Sequence, residues 1–216
     1  MPSDILKAVE QHRIIAIFRG IAPELAVATA QALYEGGIRM VEVTFNQRSA
    51  TKFEDTAGAI KAIAAKLDGK LLVGAGTVLT VEEAKAAKNA GATYALSPDM
   101  NPAVISAVKE MGMASIPGAM TPTEIAAAWD AGADLVKLFP AGGLGTGYLK
   151  DVSAPLSHIP LIAVGGIDLS NLAAFLNAGA KGLGIGSSIT NMGLINNGEF
   201  AKLADLAREY TEIAKK

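Results

Sequence analysis

Apolar and polar positions along this chain follow two alternating regimes. Short apolar or glycine-ended runs fall at Arg13–Gly20, Met40–Phe45, Leu71–Thr77, Tyr94–Pro98, Ala114–Ala119, Leu135–Pro140, Ile159–Gly166 and Gly182–Ser188. Between them lie Ala-rich stretches with helical spacing, among them Pro23–Gly36, Val81–Gly91, Pro122–Gly132 and Ser170–Gly179. The first kind predicts strands and the second helices. Related phrases close many of the helical stretches: EGGI at 35, NAGA at 89, EMGM at 110, DAGA at 130 and NAGA at 177. Glycine just past a helix end supplies the left-handed C-cap, so each phrase marks a turn from helix into strand. Thr80, Thr121 and Asp168 stand where N-caps are expected.

Eight strands alternating with eight helices, at roughly 20–30 residues per unit, predict a (β/α)8 barrel. An additional helix at Ser3–His12 would cover the bottom of the barrel. An open doubly wound sheet is the rival, but no G-x-G-x-x-G turn follows the first strand. No linker or break in composition divides residues 1–216, which are expected to form one barrel domain.

Composition narrows the chemistry. Hydrophobic residues make up 50% of the 216 and aromatic ones only 5%, so small aliphatic side chains build the interior, as suits helices packed on a parallel sheet. A formal net charge of −2 without long charge runs argues against a nucleic-acid partner. With no cysteine there is no disulfide, no thiol nucleophile and no Cys-based metal site. His12 and His158 are the only histidines, which argues against a His-rich metal centre or a His-based triad. An all-carboxylate Mg²⁺ site stays open on this count. The N-terminus has no apolar h-region, and no apolar run approaches the roughly 18 residues that span a bilayer. A cytoplasmic protein without membrane contact is expected.

The run Leu135-Val136-Lys137-Leu138-Phe139-Pro140 sets a lysine in the middle of an apolar strand. A buried ammonium ion is costly unless paired, and the usual relief is a lowered pKa. Alternate residues of a barrel strand point inward, and the site of such a barrel lies at the strands' C-terminal ends. With Lys137 facing in, Val136 and Leu138 face the helices. On the second strand Val41, Val43 and Phe45 form the outward set, leaving Glu42 and Thr44 inside. On the first, Arg19 ends the strand with the parity of Ile15 and Ile17. The third places Val73, Ala75 and Thr77 on one face, with Gly74 and Gly76 on the other. One reading of these positions is a structural Glu42–Lys137 ion pair. The other is an imine-forming lysine beside a carboxylate that transfers protons.

Two glycine-rich turns add a second signal. AVGGIDLSN ends the seventh strand at Gly165-Gly166 and opens a helix near Asp168, and GLGIGSSI ends the eighth at Gly186-Ser187-Ser188. Such turns bring backbone N–H groups close to an anion, and these two loops are the recurrent phosphate site of the barrel. GAGTV at 74 and IPGAMTPTE at 116 place Thr77 and Pro117 at strand ends, where substrate contacts are expected.

Taken in order, GGIRMVEVTF, VGAGTVLT, SPDMNPAVI, IPGAMTPTE, LVKLFPA, AVGGI and GIGSS run through nearly the whole chain. On these motifs the chain resembles the class I 2-keto-3-deoxy-6-phosphogluconate (KDPG) and 4-hydroxy-2-oxoglutarate aldolase family, with features of the 6-phosphogalactonate branch. The resemblance implies that Lys137 is the Schiff-base lysine and Glu42 the general acid/base. It implies that Thr77 and Pro117 line the pyruvyl pocket, and that Gly165, Gly166, Gly186 and Ser187 bind a substrate phosphate. It further implies a homotrimer that uses neither metal nor cofactor. The reaction implied cleaves a phosphorylated 2-keto-3-deoxy sugar acid to pyruvate and glyceraldehyde 3-phosphate, or 4-hydroxy-2-oxoglutarate to pyruvate and glyoxylate. Phosphogluconate-specific members commonly read V-T-L-R-T after the catalytic glutamate, where this chain has Val43-Thr44-Phe45-Asn46-Gln47. Arg19 in AIFRGI is the expected substitute for that arginine, as in the phosphogalactonate branch. In SPDM, where many members have S-P-G, Asp99 is expected to put a carboxylate near the pocket rim. The alternatives are a barrel epimerase or isomerase acting without a covalent step, and a non-catalytic sugar-phosphate sensor.

Overall fold

A computed structural model describes residues 2–215. Nine parallel strand segments make one sheet: β1 (Ile14–Phe18), β2 (Met40–Thr44), β3 (Leu72–Gly76), β4 (Tyr94–Leu96), β5 (Ala114–Ile116), β6 (Gly118–Ala119), β7 (Val136–Leu138), β8 (Leu161–Val164) and β9 (Gly182–Ile185). β5 and β6 are two halves of one stave, interrupted at Pro117, which has no N–H to give to a ladder. β5 pairs back to β4 and β6 forward to β7, so this stave closes the ring into the expected eight-staved barrel.

Two apolar layers follow from the strand parity. Ile15, Ile17, Met40, Tyr94, Leu96, Ile116, Ile162 and Val164 fill the barrel interior. Ile14, Ala16, Val41, Val43, Val73, Ala75, Val136, Leu138 and Leu183 face the helices in a second, larger cluster. The alternation read from the sequence is therefore the one that folds. Helix α1 (Pro2–His12) joins the interior layer through Ile5 and Val9 and covers the bottom. A Cβ at Gly182 would stand 2.5 Å from Val9, so that glycine is what lets α1 dock.

The surrounding helices are α2 (Pro23–Glu35), α3 (Lys52–Lys66), α4 (Val81–Asn89), α5 (Pro102–Glu110), α6 (Pro122–Asp130), α7 (Ala141–Ser153), α8 (Leu172–Asn177) and α10 (Phe200–Ala214), with a short unanticipated α9 (Met192–Asn196) after β9. Thr80 and Thr121 each form a complete capping box, with Glu83 and Glu124. Asp168 does not cap its helix. α8 starts only at Leu172, and the Asp168 carboxylate instead binds the N–H of Ser170 at 2.8 Å. The glycines of the repeated phrase do end their helices at positive φ, as at Gly91 (101°) and Gly132 (98°). In EGGI the two glycines divide the work: Gly37 makes the turn at φ 97°, while Gly36 leaves room for α10.

Candidate active site

At the C-terminal mouth of the barrel a cavity of about 680 Å³ is walled by Arg19, Thr77, Lys137, Gly165, Gly166, Gly186 and Ser187, seven of the nine residues expected of the site. The other two sit behind the wall. Pro117 is buried in the break between β5 and β6, and its carbonyl accepts the N–H of Lys137 at 2.8 Å. It backs the lysine strand, and Pro98 stands on the wall in its stead. Glu42 is only 1% exposed and is not part of the wall.

Lys137 points inward with 4% of its surface exposed, its amine 4.9 Å from the centre of the Phe139 ring. Burial pushes its pKa below the ordinary lysine value; the Glu42 charge opposes that shift and the Arg19 charge adds to it. Burial likewise raises the Glu42 carboxyl, against the pull of Lys137 and Arg19. No direct ion pair joins the two residues, and Glu42 Oε2 has no hydrogen-bond partner among the described residues. The structural ion pair that the sequence allowed is thus not formed. What the barrel holds is an amine destabilised as a cation and a carboxyl whose pKa is raised by burial, close enough to feel each other's charge.

Glycines make the space for this pair. A Cβ at Gly76 would stand 2.5 Å from Glu42 Oε1, and one at Gly74 would collide with the Tyr94 ring. Tyr94 in turn is fully buried and donates its hydroxyl to the carbonyl of Val41 at 2.6 Å, so it fixes β2 beside Glu42.

Arg19 directly follows β1, whose last carbonyls are tied down. Thr44 donates to Phe18 O at 2.9 Å, and Thr190 to Ile17 O at 3.1 Å. The guanidinium reaches across the mouth and donates to Thr77 Oγ1 at 3.2 Å. Strand parity alone would have sent Thr77 outward with Val73 and Ala75. It lines the cavity because its φ is 57°, a left-handed conformation that costs a β-branched residue about 1–3 kcal/mol.

On the opposite wall Gly165 and Gly166 adopt φ values of 91° and 72°, open to glycine and strained for other residues. Their carbonyls are taken by Gly142 N at 2.7 Å and Asn171 Nδ2 at 2.8 Å. The N–H groups of Gly166, Gly186 and Ser187 donate to no acceptor among the described residues, whereas the Ser188 hydroxyl is committed to Ile167 O. Two acidic residues flank the cavity differently. Asp99 is exposed and off the cavity wall; its carbonyl serves Gly118 N at 3.0 Å. Asp168, read as a helix cap, is on the wall, and hydrogen bonds from the Ser170 hydroxyl and N–H hold its carboxyl low. Its place directly after the GGI turn is the only signal that could have found it. Asn46 bends away: its side chain accepts the N–H of Arg48 at 3.1 Å and is absent from the wall. No three His, Asp or Glu side chains cluster as a metal set among the described residues.

A (β/α)8 barrel that holds this amine, carboxyl and guanidinium beside glycine turns at its mouth belongs with the barrel aldolases. Comparison with known proteins makes the class specific. A model of the KDPG and KHG aldolase family matches residues 5–206, and the chain belongs to that family. It is 37% identical over 211 residues to the 2-dehydro-3-deoxy-phosphogluconate aldolase of Treponema pallidum, covering 97% of each chain. It is 35% identical over 200 residues to the 2-dehydro-3-deoxy-6-phosphogalactonate aldolase of Escherichia coli, covering 92% of this chain and 95% of the relative. A solved KDPG aldolase from Legionella pneumophila, with pyruvate captured at low pH as a covalent carbinolamine, superposes with a TM-score of 0.84 at 26% identity, covering 96% of this chain and 97% of that one.

Proposed function

We propose that this protein is a metal-independent Schiff-base aldolase that cleaves a 2-keto-3-deoxy-6-phospho sugar acid to pyruvate and glyceraldehyde 3-phosphate. The observation that carries the reading is Lys137: an amine destabilised as a cation, free of any ion pair, on the wall of a cavity large enough for a six-carbon acid. The Lys137 amine adds to the C2 ketone, and loss of water gives an iminium. Glu42, through a water, takes the proton of the C4 hydroxyl. The C3–C4 bond then breaks, its electrons passing to the iminium to give an enamine while the aldehyde leaves. Glu42 returns a proton to C3, and water releases pyruvate from the lysine. A carboxyl whose pKa is raised by burial suits both directions of transfer.

Arg19 holds the substrate carboxylate by a charge-assisted contact, with Thr77 beside it. The N–H groups of Gly166, Gly186 and Ser187, with the Gly165 turn, receive the phosphate. Pro117 acts from behind, by holding the Lys137 strand. The phosphogalactonate epimer is the second reading, favoured by the pairing of Arg19 with Asn46 in place of the arginine of V-T-L-R-T. 4-Hydroxy-2-oxoglutarate is the unphosphorylated candidate. Assay of all three substrates decides among them, and turnover of none would refute the proposal. Among the described residues no helix is long and apolar enough to cross a membrane. A cytoplasmic homotrimer of single-domain subunits is the further part of the proposal, and the family likeness is what supports it.

Two outcomes test the assignments outside the amine. Hydrogen bonds to charged groups contribute about 1.5–3 kcal/mol, so Arg19→Ala should lower kcat/KM by roughly 10- to 150-fold. The loss should be equal for phosphorylated and unphosphorylated substrates; a deficit confined to the former would move Arg19 to the phosphate. Exhaustive chelation should leave turnover unchanged, and activity lost to a chelator but restored by Mg²⁺ would contradict the mechanism.

A further inference from the structure

Thr77 is held in its left-handed conformation from several sides. Val78 N–H donates to Leu96 O at 3.1 Å and Val78 O accepts from Ser97 Oγ at 2.6 Å, while the Thr77 carbonyl accepts from Gln47 Nε2 at 3.2 Å. Gln47 has a fixed amide orientation. Its Oε1 accepts from Lys52 Nζ at 2.8 Å, and its Nε2 donates also to Glu83 Oε1 at 2.8 Å. Lys52 and Glu83 form their own ion pair at 2.7 Å, with the Glu83 side chain fully buried. A flipped amide would set donor against ammonium and acceptor against carboxylate, so the ion pair locks the amide hydrogen toward Thr77. The other oxygen of Glu83 receives the N–H groups of Leu79 at 2.6 Å and Thr80 at 3.2 Å, which ties the same loop to α4. Beyond Thr77 the chain of contacts ends on Arg19.

We propose that Gln47, braced by the Lys52–Glu83 ion pair, is a positioning residue that sets Thr77 and thereby Arg19 for the substrate carboxylate. The inference rests on the aldolase reading and adds a function to the loop after β2, where Asn46 contributes nothing to the cavity wall. Gln47 acts on binding through Thr77 and touches neither substrate nor amine.

Gln47→Ala in the full chain removes the link and leaves the Thr80–Glu83 capping box in place. The pyruvate concentration that half-saturates borohydride labelling of Lys137 should rise roughly 3- to 10-fold, the range of one neutral hydrogen bond. In an Arg19→Ala background the same substitution should add nothing, because both act on one contact. A crystal structure of Gln47→Ala gives a readout independent of the chemistry: Thr77 should leave positive φ, or its hydroxyl should leave Arg19. Unchanged half-saturation, an undiminished effect without Arg19, or Thr77 still at positive φ on Arg19 would each overturn the proposal. Wild-type protein that takes no label defeats the aldolase reading instead, and the crystal structure then decides the positioning role by itself.

Discussion

Lys137→Ala is expected to take up no pyruvyl group under borohydride and to lose about 10⁴-fold or more in turnover, since no other lysine lines the cavity among the described residues. In the wild type, peptide mapping should find a single reduced adduct at Lys137. Labelling should also depend on pH in a defined sense. Only the neutral amine attacks the ketone, so the rate rises as pH increases through the pKa of Lys137. That pKa is held below the ordinary value of 10.5, chiefly by burial, and the midpoint should fall below it correspondingly. Because the Arg19 charge lowers it further, Arg19→Ala should move the midpoint upward. Label on a different lysine, or active protein with no label, would remove Lys137 from the mechanism.

Glu42→Gln should separate imine formation from cleavage. The variant keeps the amine and its cavity, so trapping by pyruvate persists, while turnover drops by roughly 10²–10⁴-fold with the loss of general acid–base transfer. The pH midpoint of labelling should move down, because the Glu42 charge is what raises the lysine's pKa against burial. Glutamine at this site would still lie over Gly76 without a steric change. Turnover near the wild-type rate would reduce Glu42 to a structural neighbour, and a midpoint moving upward would contradict the electrostatic coupling between the two groups.

The barrel was legible because its signals are local. Period-two alternation placed Glu42, Thr44 and Lys137 inside and Val41, Val43, Val136 and Leu138 outside, and each lies there in the structure. Parity failed where one backbone angle broke the alternation. Thr77 has the parity of Val73 and Ala75 but faces the cavity, because a positive φ at the strand's end reverses its side chain. Asp168 was misplaced as a helix cap for a related reason. It lies in a loop whose path is set by side-chain bonds, from Asn171 Nδ2 to the Gly166 carbonyl and from Asp168 N–H to Asn171 Oδ1, which residue spacing does not reveal.

By itself, the sequence determined the layers of the barrel, the helix ends at its glycines, the inward lysine and glutamate, and the two glycine turns. Those features follow from residue type and spacing of a few positions, which any one segment carries. Tertiary structure alone decided that Lys137 and Glu42 are unpaired, that Pro117 backs the wall where Pro98 faces it, and that Arg19 meets Thr77 through a loop braced by Gln47, Lys52 and Glu83. The physical reason is separation along the chain. Arg19 and Thr77 lie 58 positions apart, so their contact arises only when the closed ring brings the ends of β1 and β3 to one mouth.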